Sequence, residues 1–448
     1  MKKIYLAALA GSLGMMSYGL SFGWPSPSLP LLLQDDSPVQ LTLQEAAWVT
    51  SSHAFGAIVG SVLCTYIVNV IGRKWTLLFT AAPASMGWLM VAFASSVLEL
   101  YVGRFLCGSS IGFGYVAVMM YTGEISPASV RGTLTLVLVV SVKIGILIEW
   151  TIGPFLRVKD LALLSLCLPI LFVVNAVWLP ESPYHLMRRG RHQEAIESLA
   201  KLRGVTDVSE EAGIIEKSVK IDLANDTGLW ELLSVSGNRK ALTVVVILVL
   251  IQQWSGSSAI LSYAELIFNA TGNDFEGKYV TMIMGAVQAA CAIFAASIVD
   301  RFGRRTLLMI STLGTFVSTM LVGLFFFLQQ NETNVSGIVW LPAAGAILYI
   351  IMYALGLAGL PFTMMSEVFP TNVKALGSTI AMFFSNCSVF VITLSYQSIA
   401  QQYGVHASFW MFSAVSLSGF VFVYLYVPET RGKTLQEVQD QLHGRKLT

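Results

Sequence analysis

Apolar residues run along this chain in stretches of about twenty, broken by short polar punctuation. A helix needs about 20 apolar residues to cross a bilayer. The pattern predicts twelve such helices, at 4–24, 46–68, 75–95, 99–121, 133–154, 161–179, 241–267, 279–299, 306–328, 338–360, 375–399 and 406–427. Lys2 and Lys3 ahead of Ala8-Leu9-Ala10 have the pattern of a cleavable leader. The apolar stretch continues well past that point, so it is read as the first span.

The polar punctuation repeats. NVIGRK (69–74) returns as DRFGRR (300–305), YTGEISPASVRG (121–132) as MMSEVFPTNVKALG (364–377), and PESP (180–183) as PETRG (428–432). The offsets are 231 from Gly72 to Gly303, 243 from Glu124 to Glu367 and 248 from Pro180 to Pro428. Motifs recurring in order at nearly constant offset mean a duplicated unit. The expected fold is an all-α membrane protein of two pseudo-symmetric six-helix bundles. Its parts are an N-terminal half at 1–179, a cytoplasmic linker at 180–240, a C-terminal half at 241–427 and a tail at 428–448. The linker holds 19 of the 53 charged residues. Within it Ala195, Ile196, Leu199 and Leu202 fall at helical spacing, and Leu229, Trp230, Leu232 and Leu233 form a second apolar patch. Short helices lying against the cytoplasmic face are predicted there.

Composition agrees with a lipid environment. Of the 448 residues 55% are hydrophobic and 12% charged, against roughly 25% charge in soluble domains. A net charge of +1 argues against a nucleic-acid partner. The five cysteines stand singly in apolar runs, without metal or disulfide spacing, and read as small buried side chains. His53, His185, His192, His406 and His443 are scattered. No metal, cofactor or enzymatic constellation is expected.

Orientation follows the cations. With both termini cytoplasmic, 22 of the 27 Lys and Arg fall on the inner side. The sequons at Asn269, Asn331 and Asn334 then face outward, where glycosylation is possible, while Asn225 lies inside and Asn386 within a helix. A monomer in the plasma membrane is expected.

GRK and DRFGRR, GEISPASVRG, PESP, QQWSG (252–256) and PETRGKT together resemble the sugar porter family of the major facilitator superfamily, over the whole chain. GWPSPSLPLL in the first stretch resembles its facilitated trehalose and glucose transporter branch. The resemblance implies two six-helix halves that rock about a central site and carry a sugar. Arg73, Arg304 and Arg305 would meet Glu124, Glu181, Glu367 and Glu429, since Arg forks bind carboxylates bidentately. With Arg131, Asp300 and Arg431 these form a predicted cytoplasmic gate; the alternative is a set of positive-inside anchors. Asn69 stands where the second copy has Asp300, which predicts a weaker latch in the first half.

In IQQWSGSSAILSYAEL, adjacent amides inside a lipid-spanning helix need protein or water to face. Gly256 suits a bend, and Tyr263, eleven residues beyond Gln252, falls on the same helical face. The resemblance implies sugar contacts at Gln252, Gln253, Tyr263, Asn386 and Phe362. Ser258 stands where sugar porters commonly have Asn, Phe362 where many have Trp, and Val139 where glucose carriers have Gln. Lys143 lies one turn beyond Val139 and is expected to donate to sugar hydroxyls; a structural lysine with a partner carboxylate is the alternative. Proton-driven porters carry an acidic residue where Pro25 stands, and residues 4–33 hold no carboxylate. Facilitated transport follows, with a proton-coupled symporter and a non-transporting sugar sensor as alternatives. Glu149 and Glu265 are the other candidate proton carriers, read as hydrated residues near outer helix ends. Trehalose, glucose, another hexose or a polyol all fit.

Overall fold

The computed structural model describes the chain apart from residues 1, 206, 225–228, 273–275, 300–301, 371–372, 432, 434–436 and 438–448. Every regular element among the described residues is helical. Twelve segments among them are long and apolar enough to cross a bilayer. The chain divides into two units, Met1–Asn225 and Asp226–Thr448. Spans 1 to 6 of the first unit are Lys3–Leu32, Leu43–Ile71, Arg73–Ala92, Val97–Ile125, Val130–Phe155 and Val158–Ala176. Spans 7 to 12 of the second are Ser236–Ser262, Gly277–Phe294, Arg304–Gln330, Ser336–Met365, Leu376–Tyr403 and Val405–Tyr426.

One packing scheme serves both units. Span 1 packs on spans 5 and 6, span 4 on spans 2 and 3, and span 3 on span 6. Six spans on, span 7 packs on spans 11 and 12, span 10 on spans 8 and 9, and span 9 on span 12. The duplication written in the motifs is therefore written in the packing too.

Between helices in lipid there is little hydrophobic drive, so close backbone approach carries the packing. Spans 2 and 4 achieve it with glycines on both sides. A Cβ on Gly108 would stand 1.8 Å from the His53 carbonyl oxygen, and one on Gly56 2.0 Å from that of Phe105. Span 2 starts on a reciprocal cap: Thr42 Oγ1 accepts the Glu45 N–H at 3.2 Å, and Glu45 accepts the Thr42 N–H at 2.8 Å. Span 1 runs further than the apolar pattern predicts. Trp24 stays in helical geometry, and Pro25 opens a second helix, Pro25–Leu32, where a missing N–H costs nothing.

The linker is helical but divided between the units. Helix His192–Arg203 buries Ala195, Leu199 and Leu202. Ala195 and Leu199 share a small core with Leu186, Met187, Val208, Ala212 and Val219 in the first unit. Helix Leu229–Ser234 instead contributes Leu232 to the core of the second. Of the cysteines, Cys64 and Cys107 are buried, Cys291 and Cys387 half-buried, and Cys167 is exposed. A thiol is apolar enough for a lipid-facing surface, which is why that expectation fails at Cys167.

Candidate functional site

Span 7 is not a continuous α-helix. After Ser236–Gln252 the chain makes a wide turn over Gln253–Ser257, with Gly256 at φ 101°. Only glycine takes that conformation readily, and an added Cβ would stand 2.5 Å from the Phe412 ring. The Gln252 carbonyl accepts the Ser255 and Ser257 hydroxyls at 2.9 and 3.2 Å. Wide turns of this kind inside α-helices are frequent at functional sites.

Span 10 is broken as well, between helices Leu341–Leu355 and Leu360–Val368. A break leaves carbonyls without helical partners. Gln252, buried, answers two of them: its Nε2 donates to Leu357 O at 2.7 Å and Ala358 O at 3.2 Å. Its Oε1 is buried and accepts no hydrogen bond among the described residues. Gln253 is half-buried, donating to Ser385 Oγ at 3.0 Å and accepting from Ser258 at 3.0 Å and Ser257 at 3.3 Å. Trp254 donates to Ser388 Oγ at 3.2 Å. The wide turn is thus tied to spans 10 and 11. Asn386, between those two serines, is half-buried, and its amide has no hydrogen-bond partner among the described residues. Phe362 is half-buried in the first turn after the break.

Tyr263 does not behave as its spacing predicts. It is fully buried, donates to Thr393 O at 2.8 Å and stacks on Tyr396 with ring centroids 5.0 Å apart. The wide turn at Gly256 breaks the helical phase between Gln252 and Tyr263, so eleven residues no longer return to one face. Trp254, Ser385 and Ser388 are not among the residues predicted from the sequence. The signal was there, in the third residue of QQWSG and in the serines flanking Asn386.

The repeated punctuation folds into one cluster per unit. In the first, Arg73 is fully buried and its Nε donates to both Glu124 oxygens at 3.0 Å. Ser182 donates to Glu124 as well. Glu181 does not meet a guanidinium: its Oε1 accepts the backbone N–H groups of Arg73 at 2.9 Å and Lys74 at 3.1 Å. In the second, Arg304 bridges to Glu367 at 3.3 Å, Thr430 donates to Glu367, and Glu429 accepts the N–H groups of Arg304 and Arg305 at 2.9 and 3.1 Å. The glycine of each motif follows from this. A Cβ on Gly72 would lie 2.3 Å from Glu181, and one on Gly303 2.3 Å from Glu429.

Other members of the predicted gate stand apart. Arg131 is exposed and donates to Ser126 O at 3.2 Å. The Arg305 side chain reaches Tyr424 O, and Arg431 joins through its backbone N–H, 3.0 Å from Glu429. Asp300 lies outside the described residues. The bridge of the first unit is the shorter and the more buried of the two, 3.0 Å against 3.3 Å. Asn69 bonds its own helix at Thr65 O, while burial and the Glu124 fork fix Arg73 without it. His185 adds an acceptor for Arg73, its Nδ1 lying 2.7 Å from Arg73 Nη1. Burial, then the guanidiniums of Arg73, Arg189, Arg188 and Arg191, push His185 down to about 4.

The remaining polar groups of the first unit lie deep in its spans. Arg104 is buried, donates to Ser21 O at 3.0 Å and lies 4.9 Å from the Trp24 ring centre. Glu149 is not hydrated as expected from its place in the stretch. It is buried, accepts from Ser165 at 3.3 Å, and its Oε1 has no partner among the described residues. Glu265 is buried also. Lys143 is half-buried, with no ion pair or hydrogen bond among the described residues. The sequon asparagines Asn269, Asn331 and Asn334 are all exposed. Among the described residues no group of His, Cys, Asp and Glu is arranged to hold a metal.

Comparison with known proteins shows the family of this chain. Residues 13–442 match the family described as "Sugar (and other) transporter". A facilitated trehalose transporter Tret1 from Culex quinquefasciatus is 34% identical over 98% of this chain and 86% of its own. One from Polypedilum vanderplanki is 33% identical over 98% and 88%. Among solved structures, the inward open xylose transporter XylE from E. coli superposes with a TM-score of 0.81 at 21% identity, covering 98% of this chain and 99% of that one. The proton:xylose symporter XylE bound to 6-bromo-6-deoxy-D-glucose gives 0.78 at 22%, over 98% and 99%. At such identity these two speak for the fold alone.

Proposed function

The chain belongs to the sugar (and other) transporter family, and from that membership we propose that it carries a sugar down its gradient across a membrane by alternating access. The observation that carries the reading is the polar wide turn of span 7, tied to the break in span 10 and to span 11. Amides read hydroxyls because they both donate and accept. Gln253, Ser258 and the free amide of Asn386 are assigned to the sugar hydroxyls, with Phe362 as the apolar surface for a sugar face. Gln252 is assigned through its unpartnered Oε1, and Tyr263 as a positioning residue behind the turn.

The charge clusters are assigned as cytoplasmic latches that keep the ends of spans 3, 4, 9 and 10 in register as the protein cycles. Residues 1–179 and 241–427 are read as the two halves, 180–240 as the linker and 428–448 as the tail. Both ends are assigned to the cytoplasm of a plasma-membrane monomer, with glycans at Asn331 and Asn334 and, less exposed in its threonine, at Asn269.

Trehalose and glucose are the cargoes to test first, the former because relatives are named for it. Proteoliposomes should equilibrate labelled trehalose or glucose without accumulating it. Failure to transport any neutral sugar from a panel of both plus xylose and a polyol would overturn the reading. A second reading, sugar–proton symport, is favoured by Glu149, a buried carboxylate with an unpartnered oxygen within the field of Arg104. Uphill accumulation under an inward proton gradient, abolished by an uncoupler, would select it.

A further inference from the structure

Lys143 stands midway between Val130 and Phe155 in span 5. At 1.5 Å per residue its backbone is about 18–20 Å from either end, too deep for a lysine to snorkel to the interface. The face of span 5 that packs on span 1 is marked by Leu138, Val142, Gly145, Ile146 and Glu149 against Gly11, Gly19 and Gly23. Lys143 is turned about a third of a turn from that face, at 3.6 residues per turn. Val137, an exposed residue of the same helix, lies about a third of a turn the other way. Lys143 therefore points along a third flank, shared with Val139, neither into the helix contact nor straight outward.

A charge at such depth is costly unless something answers it. The other deep cation of the unit, Arg104, has the Ser21 carbonyl, the Trp24 ring and the field of Glu149. For Lys143 no carboxylate acts and no acceptor lies within hydrogen-bond distance among the described residues. Glu149 cannot serve, since six residues put it on the span 1 face and Ser165 engages it. A sugar hydroxyl would satisfy the ammonium's donors but leave its charge unanswered.

We infer that Lys143 is a seat for an anionic group on the cargo, and that the cargo class includes sugars bearing a carboxylate, such as a hexuronate. This rests on the reading of the chain as a sugar carrier and narrows it. An ammonium–carboxylate contact is charge-assisted and stronger than a neutral hydrogen bond, so the lysine would select acid sugars over their neutral parents.

The test is uptake by full-length protein in proteoliposomes, with labelled D-glucuronate, D-glucose and trehalose as probes. Wild type should take up glucuronate with a KM about tenfold below that of glucose. Lys143→Met should erase that preference and Lys143→Arg should keep it, each variant eluting as a monodisperse species. Neutral sugar uptake without glucuronate uptake, or the same preference in Lys143→Met, would overturn the anion seat and leave the sugar carrier standing. Uptake of none of the three probes would remove both. Repeating the assay with methanesulfonate in place of chloride should change nothing. Loss of neutral sugar uptake in that buffer, absent in Lys143→Met, would make chloride the occupant instead.

Discussion

Glu429 accepts the backbone N–H of Arg304 at 2.9 Å, across 125 residues of chain. Glu181 does the same for Arg73, also at 2.9 Å. In both units a glutamate from beyond the last span of the half caps the first turn of its third span. There the unbonded N–H groups and the positive end of the helix dipole favour an anion. Glu181→Ala or Glu429→Ala should lower stability by about 1–2 kcal/mol. The Gln variants should lose less, because they keep an acceptor. Monodisperse protein remaining after graded heating measures this, and wild-type resistance in both Ala variants would mean the caps carry nothing.

The two arginine bridges should not be equivalent. The side chains of Arg73 and Glu124 are 0% and 12% exposed, those of Arg304 and Glu367 15% and 26%. Breaking a buried pair strands a charge at a cost of about 3–5 kcal/mol, whereas a wetter pair costs much less. Arg73→Ala is therefore expected to lose folded yield, and Arg304→Ala to fold with altered transport. Exchanging Arg304 and Glu367 should recover part of what either single reversal loses. Equal folded yields for Arg73→Ala and Arg304→Ala would contradict this ranking.

The spans were legible because a stretch of about twenty apolar residues has few places to go but lipid. Span 11, expected at 375–399, is found at Leu376–Tyr403. Duplication was legible in the spaced motifs. Partners were not. Nothing in PESP says that its glutamate meets an N–H rather than a guanidinium, because the contact closes over 108 residues. The face of Tyr263 was not legible for a local reason: the 3.6-residue period does not run through Gly256, where the backbone turns to φ 101°. Glu149 looked hydrated from its place near a stretch end, yet Ser165 and the close approach of Gly23 enclose it.

His185 should make the first unit acid-sensitive. Its folded pKa of about 4 lies below the ordinary 6.5, so the unfolded chain takes up a proton on acidification before the folded one does. Stability is full above pH 6.5 and drains as pH falls towards 4, by up to about 1.4 kcal/mol per unit. Between pH 7 and 4.5 the wild type should lose more heat resistance than His185→Asn, which keeps a polar group beside Arg73 without titrating. Parallel loss in the two proteins would show that His185 does not report acid.

The adjacent glutamines should fail in different ways. Gln252 spends its amide nitrogen on the Leu357 and Ala358 carbonyls, inside the break of span 10. Gln252→Ala strands both carbonyls, so it should lower the maximal transport rate and the folded yield together. Gln253 is half-buried and bonded to hydroxyls that can rebond elsewhere. Gln253→Ala should fold normally and raise the KM for sugar about tenfold, the worth of one or two lost hydrogen bonds. Concentration-dependent uptake, normalised to monodisperse protein in the liposomes, separates the two effects. A Gln253→Ala protein with wild-type KM for every transported sugar would remove Gln253 from the site. Normal yield and rate in Gln252→Ala would mean that the span 10 break does not depend on this amide.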